Sequence, residues 1–151
     1  MSTRTHRATS RWIIFILLLT YLQFGVGAVP VQQPAETVRA IPAPATPLPT
    51  EDQSVDVTRF SFIAYGDTRS TVDGTSLQPV HSQLVDSMIH SIKNLQTTEF
   101  PVRFVLQSGD AVLNGRIAGQ LNTSFVDIVS RLTQEGNVPY YLIPGNHDVT
   151  T

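Results

Sequence analysis

Between residues 59 and 143, short apolar runs alternate with longer stretches in which apolar residues recur every three or four positions. The run RFSFIAY, Arg59 to Tyr65, is rich in aromatic and β-branched residues and stops at Gly66, as a buried strand would. The next segment, GDTRSTVDGTSLQ, has the Gly, Asp, Ser and Thr content of a loop. Val80, Leu84, Val85, Met88, Ile89, Ile92 and Leu95 then fall at helical spacing, predicting a helix from about Pro79 to Leu95 with one apolar face. His81 and His90 lie on or beside it and read as ordinary, partly exposed helix residues. The cycle repeats with VRFVL, Val102 to Leu106, running into QSGDAVLNG, and with a second helix carrying Ile117, Leu121, Phe125, Ile128, Val129 and Leu132 before Gly136. A last strand, Val138 to Ile143, ends in PGNHD. The order β-α-β-α-β with helices of this length implies an α/β fold with a parallel sheet and right-handed crossovers.

Parallel order has a geometric consequence. All strands leave the sheet at the same edge, which is where open α/β sheets bind ligands. Gly66-Asp67, Gly109-Asp110 and Gly145-Asn146 each close a strand, at separations of 43 and 36 residues between the polar members, so they are expected neighbours. Glycine at these points allows a sharp turn and a close approach of backbone to a ligand.

The first 55 residues break the rhythm. Arg4, Arg7 and Arg11 precede the apolar run WIIFILLLTYL, and small residues come after it at Gly25, Gly27 and Ala28. A basic stretch, an apolar stretch and a small-residue zone make 1–28 a signal peptide or an uncleaved signal anchor, either of which exports the rest of the chain. The chain is thus expected outside the cytoplasm, secreted or anchored in a membrane by that segment. Residues 29–55 hold six of the ten prolines and no glycine, which predicts a disordered, extended linker. The folded part is then 56–151.

Composition narrows the chemistry. A net charge of -2 and a pI near 6.0 give no reason to expect nucleic acid as a partner. The chain has no cysteine, which excludes disulfides, thiolate metal sites and a cysteine nucleophile. Two carboxylates and an amide oxygen converging on one sheet edge repel unless a cation joins them. Oxygen and imidazole donors suit Mn, Fe, Zn or Mg. Two such ions bring about +4 against the two carboxylates, leaving positive charge for a hydroxide and a phosphate group.

The series GD, GD and GNHD, each at a strand end, resembles the calcineurin-like metallophosphoesterase superfamily from Arg59 to Asp148. The resemblance implies that 56–151 is the βαβαβ parallel-sheet half of a four-layer α-β-β-α sandwich, the N-terminal half of a truncated domain. It implies that Asp67 binds the first of two divalent ions, Asp110 bridges both and Asn146 binds the second. His147 then stabilises the phosphate and protonates the leaving oxygen, and Asp148 orients its neighbours. The implied activity is hydrolysis of phosphate mono- or diesters by a two-metal hydroxide mechanism, incomplete in this fragment.

The chain departs from the family pattern in three places. Family members commonly read D-x-H where this chain has Asp67-Thr68-Arg69, and an arginine cannot ligate a metal. Arg69 could instead clamp a substrate phosphate or bind loop carbonyls. Leu113 and Asn114 stand where the Asp and Arg of G-D-x-x-D-R-G would fall, which argues against a protein serine/threonine phosphatase. The late G-H-x-H turn has no counterpart, and His6, His81 and His90 do not replace it. A non-catalytic binding or scaffold module with a degenerate metal site is therefore the alternative. A doubly wound nucleotide-binding domain is weakened by the lack of a glycine-rich phosphate loop after the first strand.

Overall fold

A computed structural model describes residues 35–69 and 76–149. It contains β1 (Ser61–Tyr65), α1 (Pro79–Leu95), β2 (Val102–Gln107), α2 (Ala118–Leu121), a π-helical turn (Asn122–Val126), α3 (Asp127–Gln134) and β3 (Tyr140–Leu142), with a 3-10 turn at Asp52–Ser54 before the sheet. The strands form one parallel sheet in the order β1-β2-β3. Each element of the expected β-α-β-α-β series is present, with β1 and β3 two residues shorter at the start than the apolar pattern suggests.

Register explains which side chains meet. Ile63 pairs with Val105 and Val105 with Tyr140, while Tyr65, Gln107 and Leu142 form the next row. These rows face α1 and α3, which pack against each other over them. The core joins Val85, Ile89 and Ile92 of α1 to Val102 and Val105 of β2 and to Ile128, Val129 and Leu132 of α3. Burial of these side chains, at roughly 1.5–3 kcal/mol for each large aliphatic group, drives the packing.

α1 begins on Pro79, whose missing N–H costs nothing in the first turn. Its buried face is His81, Val85, Met88, Ile89 and Ile92, whereas Val80 is 77 % exposed. The expected position of His81 is thereby corrected: it is 1 % exposed, inside the core. The helix is turned so that the i, i+4, i+7, i+8, i+11 series runs from residue 81, a stripe the apolar residues alone do not reveal at its polar first member.

The alternate rows point away from both helices. Phe62, Ala64, Phe104, Leu106, Tyr141 and Ile143 occupy that face, and Phe62 is 53 % and Ile143 58 % exposed. Phe62 stacks on Phe104 with centroids 5.3 Å apart, and Phe104 meets Tyr141 edge-on at 6.1 Å. Parallel sheets are usually covered on both faces. Among the described residues, no second layer covers this one.

Part of the segment read as a linker, from residue 35 onward, is described. Glu36 onward belongs to the same compact unit as the sheet. Asn122 in the π-helical turn accepts the Arg39 N–H at 2.8 Å and donates to Glu36 Oε1 at 2.9 Å and to the Thr37 carbonyl at 3.0 Å. Arg39 also pairs with Asp127 at 2.7 Å. Farther on, Thr46 and Asn137 exchange two hydrogen bonds, Thr46 N–H to Asn137 Oδ1 at 3.1 Å and Asn137 Nδ2 to Thr46 Oγ1 at 3.0 Å. The described residues 35–50 form no helix or strand, which leaves their backbone polar groups open to such partners. The asparagines lie more than eighty residues away in sequence, so local composition could not show them. Residues 29–34 and the signal or anchor segment 1–28 lie outside the described residues. Among the described residues no helix is long and apolar enough to cross a membrane.

Candidate functional site at the sheet edge

Three loops extend from the three strands, and their turns are tight. Asp67 and Asp110 both adopt left-handed backbone, φ 55° and 53°, and Gly109 has φ 95°. Aspartate tolerates this region better than most residues but still stores backbone strain on the order of 1 kcal/mol or more. Gly109 faces the third loop so closely that a Cβ there would lie 2.5 Å from the Gly145 backbone nitrogen. A Cβ on Gly145 would lie 2.2 Å from Asp110 Oδ1. Glycine at both positions thus brings the second and third loops into backbone contact.

Main-chain hydrogen bonds lock the cluster. The Asp67 N–H donates to the Gly109 carbonyl at 3.0 Å, and the Arg69 N–H to the Asp110 carbonyl at 2.9 Å. The Gly115 N–H reaches the His147 carbonyl at 2.9 Å. The His147 N–H donates to Asp110 Oδ1 at 3.2 Å. The four residues singled out from the sequence, Asp67, Asp110, Asn146 and His147, therefore occupy one cluster of loops, with exposed Asn146 between Gly145 and His147.

Arg69 lies between the carboxylates. Its Nη1 is 2.7 Å from Asp67 Oδ1 and also ion-pairs with Asp110 Oδ2. The Asp67 side chain is 74 % exposed and the Asp110 side chain 19 %, so the pair runs from solvent inward. Arg69 thus neutralises both carboxylates through one guanidinium nitrogen. The donor set is lean, however: no group of three or more His, Asp or Glu side chains able to hold a metal occurs among the described residues. Asp67 and Asp110 would have to hold a cation with oxygen donors beyond the carboxylates of this cluster, such as the amide of Asn146.

His147 and Asp148 are held by the second loop. His147 Nδ1 lies 2.9 Å from the Leu113 carbonyl, which can only accept, so this nitrogen carries the ring proton and Nε2 is left for other partners. The main-chain carbonyl of Leu113 thus orients the imidazole. The Asp148 carboxylate accepts three backbone N–H bonds, from Ala111 at 2.8 Å, Val112 at 3.1 Å and Gly145 at 2.8 Å. It ties the second loop to the third.

Beneath the loops runs a polar network that the apolar pattern of the sequence does not reveal. Gln107, 0 % exposed, donates from Nε2 to Thr68 Oγ1 at 2.9 Å and accepts the Tyr140 hydroxyl on Oε1. The Tyr65 hydroxyl lies 3.4 Å from His81 Nε2. Burial raises both phenols above their ordinary pKa and pushes His81 down to about 4, so all three stay neutral near pH 7. The available signal was strand alternation: Gln107 stands two residues after Val105, on the inward face, where a polar side chain must find a partner. Above the network, a pocket of ≈ 440 Å³ is lined by Gly66 to Arg69 and by Gln78, His81 and Leu84.

No protein-family model, curated protein or solved structure matches this chain.

Proposed function

We propose that this chain is a metal-dependent phosphoesterase acting on phosphate mono- or diesters, with Asp67, Asp110 and Asn146 as metal ligands and His147 as the proton donor. The observation that carries the reading is the double engagement of Asp110, whose carboxylate shares the Arg69 cation with Asp67 and accepts the His147 amide. A carboxylate that engages both neighbouring loops supports a site shared between them.

When bound there, divalent ions supply Lewis-acid charge to a phosphoryl oxygen and to the attacking water. The protein's own groups do the rest. Asp110 fixes the distance between the first and third loops. The Leu113 carbonyl holds the imidazole by Nδ1, so protonated Nε2 is the ring atom that can pass a proton to a leaving oxygen. The ≈ 440 Å³ pocket beside Asp67 and Arg69 is large enough for a small ester group. The finer architecture, one half of a four-layer α-β-β-α sandwich, is supported by the exposure of Phe62, Tyr141 and Ile143 on the sheet face away from the helices. Export, by a cleaved signal or a membrane anchor at 1–28, is part of the same proposal and rests on the N-terminal pattern.

A second reading, a scaffold with a degenerate metal site, is favoured by Arg69 sitting where members of the resembled family have a histidine ligand, and by the lean donor set. Hydrolysis of p-nitrophenyl phosphate and of its bis-ester in Mn²⁺ separates the two. The phosphoesterase reading expects turnover that falls ~10²- to 10⁴-fold in His147→Ala with Mn²⁺ affinity kept. Turnover unchanged in that variant removes the proton-donor role, and no hydrolysis and no Mn²⁺ binding by the natural form favour the scaffold.

A further inference from the structure

Arg69 is the one cationic side chain that the structure places on both candidate ligand carboxylates at once, among the described residues. Its backbone is held independently of its side chain, through the N–H bond to the Asp110 carbonyl at 2.9 Å. The guanidinium can therefore leave without unfolding the loop. It also lines the ≈ 440 Å³ pocket together with Asp67 and Thr68.

A divalent ion on Asp67 and Asp110 carries twice the charge of a guanidinium and competes for the same oxygen atoms. Both cations cannot hold the same lone pairs, and at a few ångströms they repel. We propose that Arg69 is an internal counter-cation that a metal must displace, and that the displaced guanidinium turns to the phosphate group of the ligand in the adjacent pocket. Metal loading and anion binding are then coupled through one side chain: the empty site is neutralised by Arg69, and the loaded site offers Arg69 to an anion in bidentate geometry. This rests on the proposed function, since it concerns the same two carboxylates.

The test is calorimetric titration of the full chain with Mn²⁺, then with inorganic phosphate at saturating Mn²⁺, for the natural chain, Arg69→Gln and Arg69→Lys. Removing the competitor in Arg69→Gln is expected to tighten Mn²⁺ binding on the order of tenfold, the loss of one or two charge-assisted bonds, and to weaken phosphate binding. Arg69→Lys, which keeps the charge, is expected to bind Mn²⁺ within about threefold of the natural chain, a difference under 1 kcal/mol, and to lose part of the phosphate affinity with the fork geometry. Equal or weaker Mn²⁺ binding in Arg69→Gln overturns the inference and leaves the metal site standing. Absence of Mn²⁺ binding in all three overturns both, because removing Arg69 should free the carboxylates. Unchanged phosphate affinity in Arg69→Gln overturns the coupling.

Discussion

Asp148→Asn perturbs the device that joins the second and third loops, and its cost can be worked from the geometry. Oδ1 accepts two N–H groups, Ala111 and Val112, and Oδ2 accepts the Gly145 N–H. An asparagine can keep its oxygen on the Ala111 and Val112 side, but its amide nitrogen then faces the Gly145 N–H, donor against donor. Flipping the amide saves that bond and loses the other two. In the better orientation one bond to a charged group disappears, worth roughly 1.5–3 kcal/mol, and the two that remain lose their charge assistance. Asp148 is half-buried, so water can recover part of the loss. The expected destabilisation is about 2–3 kcal/mol, and at ~4–8 °C per kcal/mol for a domain of this size Tm falls by about 10–20 °C. Far-UV circular dichroism in a thermal ramp and in urea measures it, with Asp148→Glu as a control of unchanged charge and wrong length. A loss below about 0.5 kcal/mol, the range of an ordinary surface substitution, would refute the claim that this carboxylate holds the loops together.

Further consequences can be checked on the same protein. His81 is neutral in the fold, with a pKa pushed by burial to about 4 against 6.5 unfolded, so the unfolded state binds the extra proton as pH falls. Stability should be full above about pH 6.5 and decline by up to ~3 kcal/mol toward pH 4; urea titrations of His81→Leu should lack that part of the slope, and an unchanged slope would contradict it. Gly109→Ala combines φ 95° with a contact of 2.5 Å to the Gly145 nitrogen and should cost at least ~2 kcal/mol, with a Tm near that of the natural chain as the contrary result. Asn122→Ala removes three hydrogen bonds to 36–39 and should cost ~2 kcal/mol and hasten proteolysis there, whereas equal cleavage rates would mean that the segment is held by other contacts.

Much of the fold was legible because it rests on local periodicity. The apolar spacing located α1 at Pro79–Leu95 and ended β1 at Tyr65, and alternation of strands with helices implied the parallel order seen in the sheet. Adjacency of the three strand-end turns came from that order, since parallel strands leave by one edge. Long-range polar pairing was not legible. Nothing near Arg39 or Thr46 announces Asn122 or Asn137. His81 was not legible as a core residue, because a histidine at the head of an apolar stripe looks like a surface residue until the helix is rotated by its neighbours. The side chain of Arg69 could not be placed from sequence either. Its residue type excludes ligation, but only the left-handed turns at Asp67 and Asp110 set it between their carboxylates.

Whether the three strand-end loops hold a shared cation is decided by anomalous diffraction from crystals grown in Mn²⁺. An anomalous peak is expected within coordination distance of the Asp67 and Asp110 carboxylates and the Asn146 side-chain oxygen, with Arg69 moved off both aspartates. A map with no peak there, and with Arg69 still bridging Asp67 and Asp110 at saturating Mn²⁺, would contradict it.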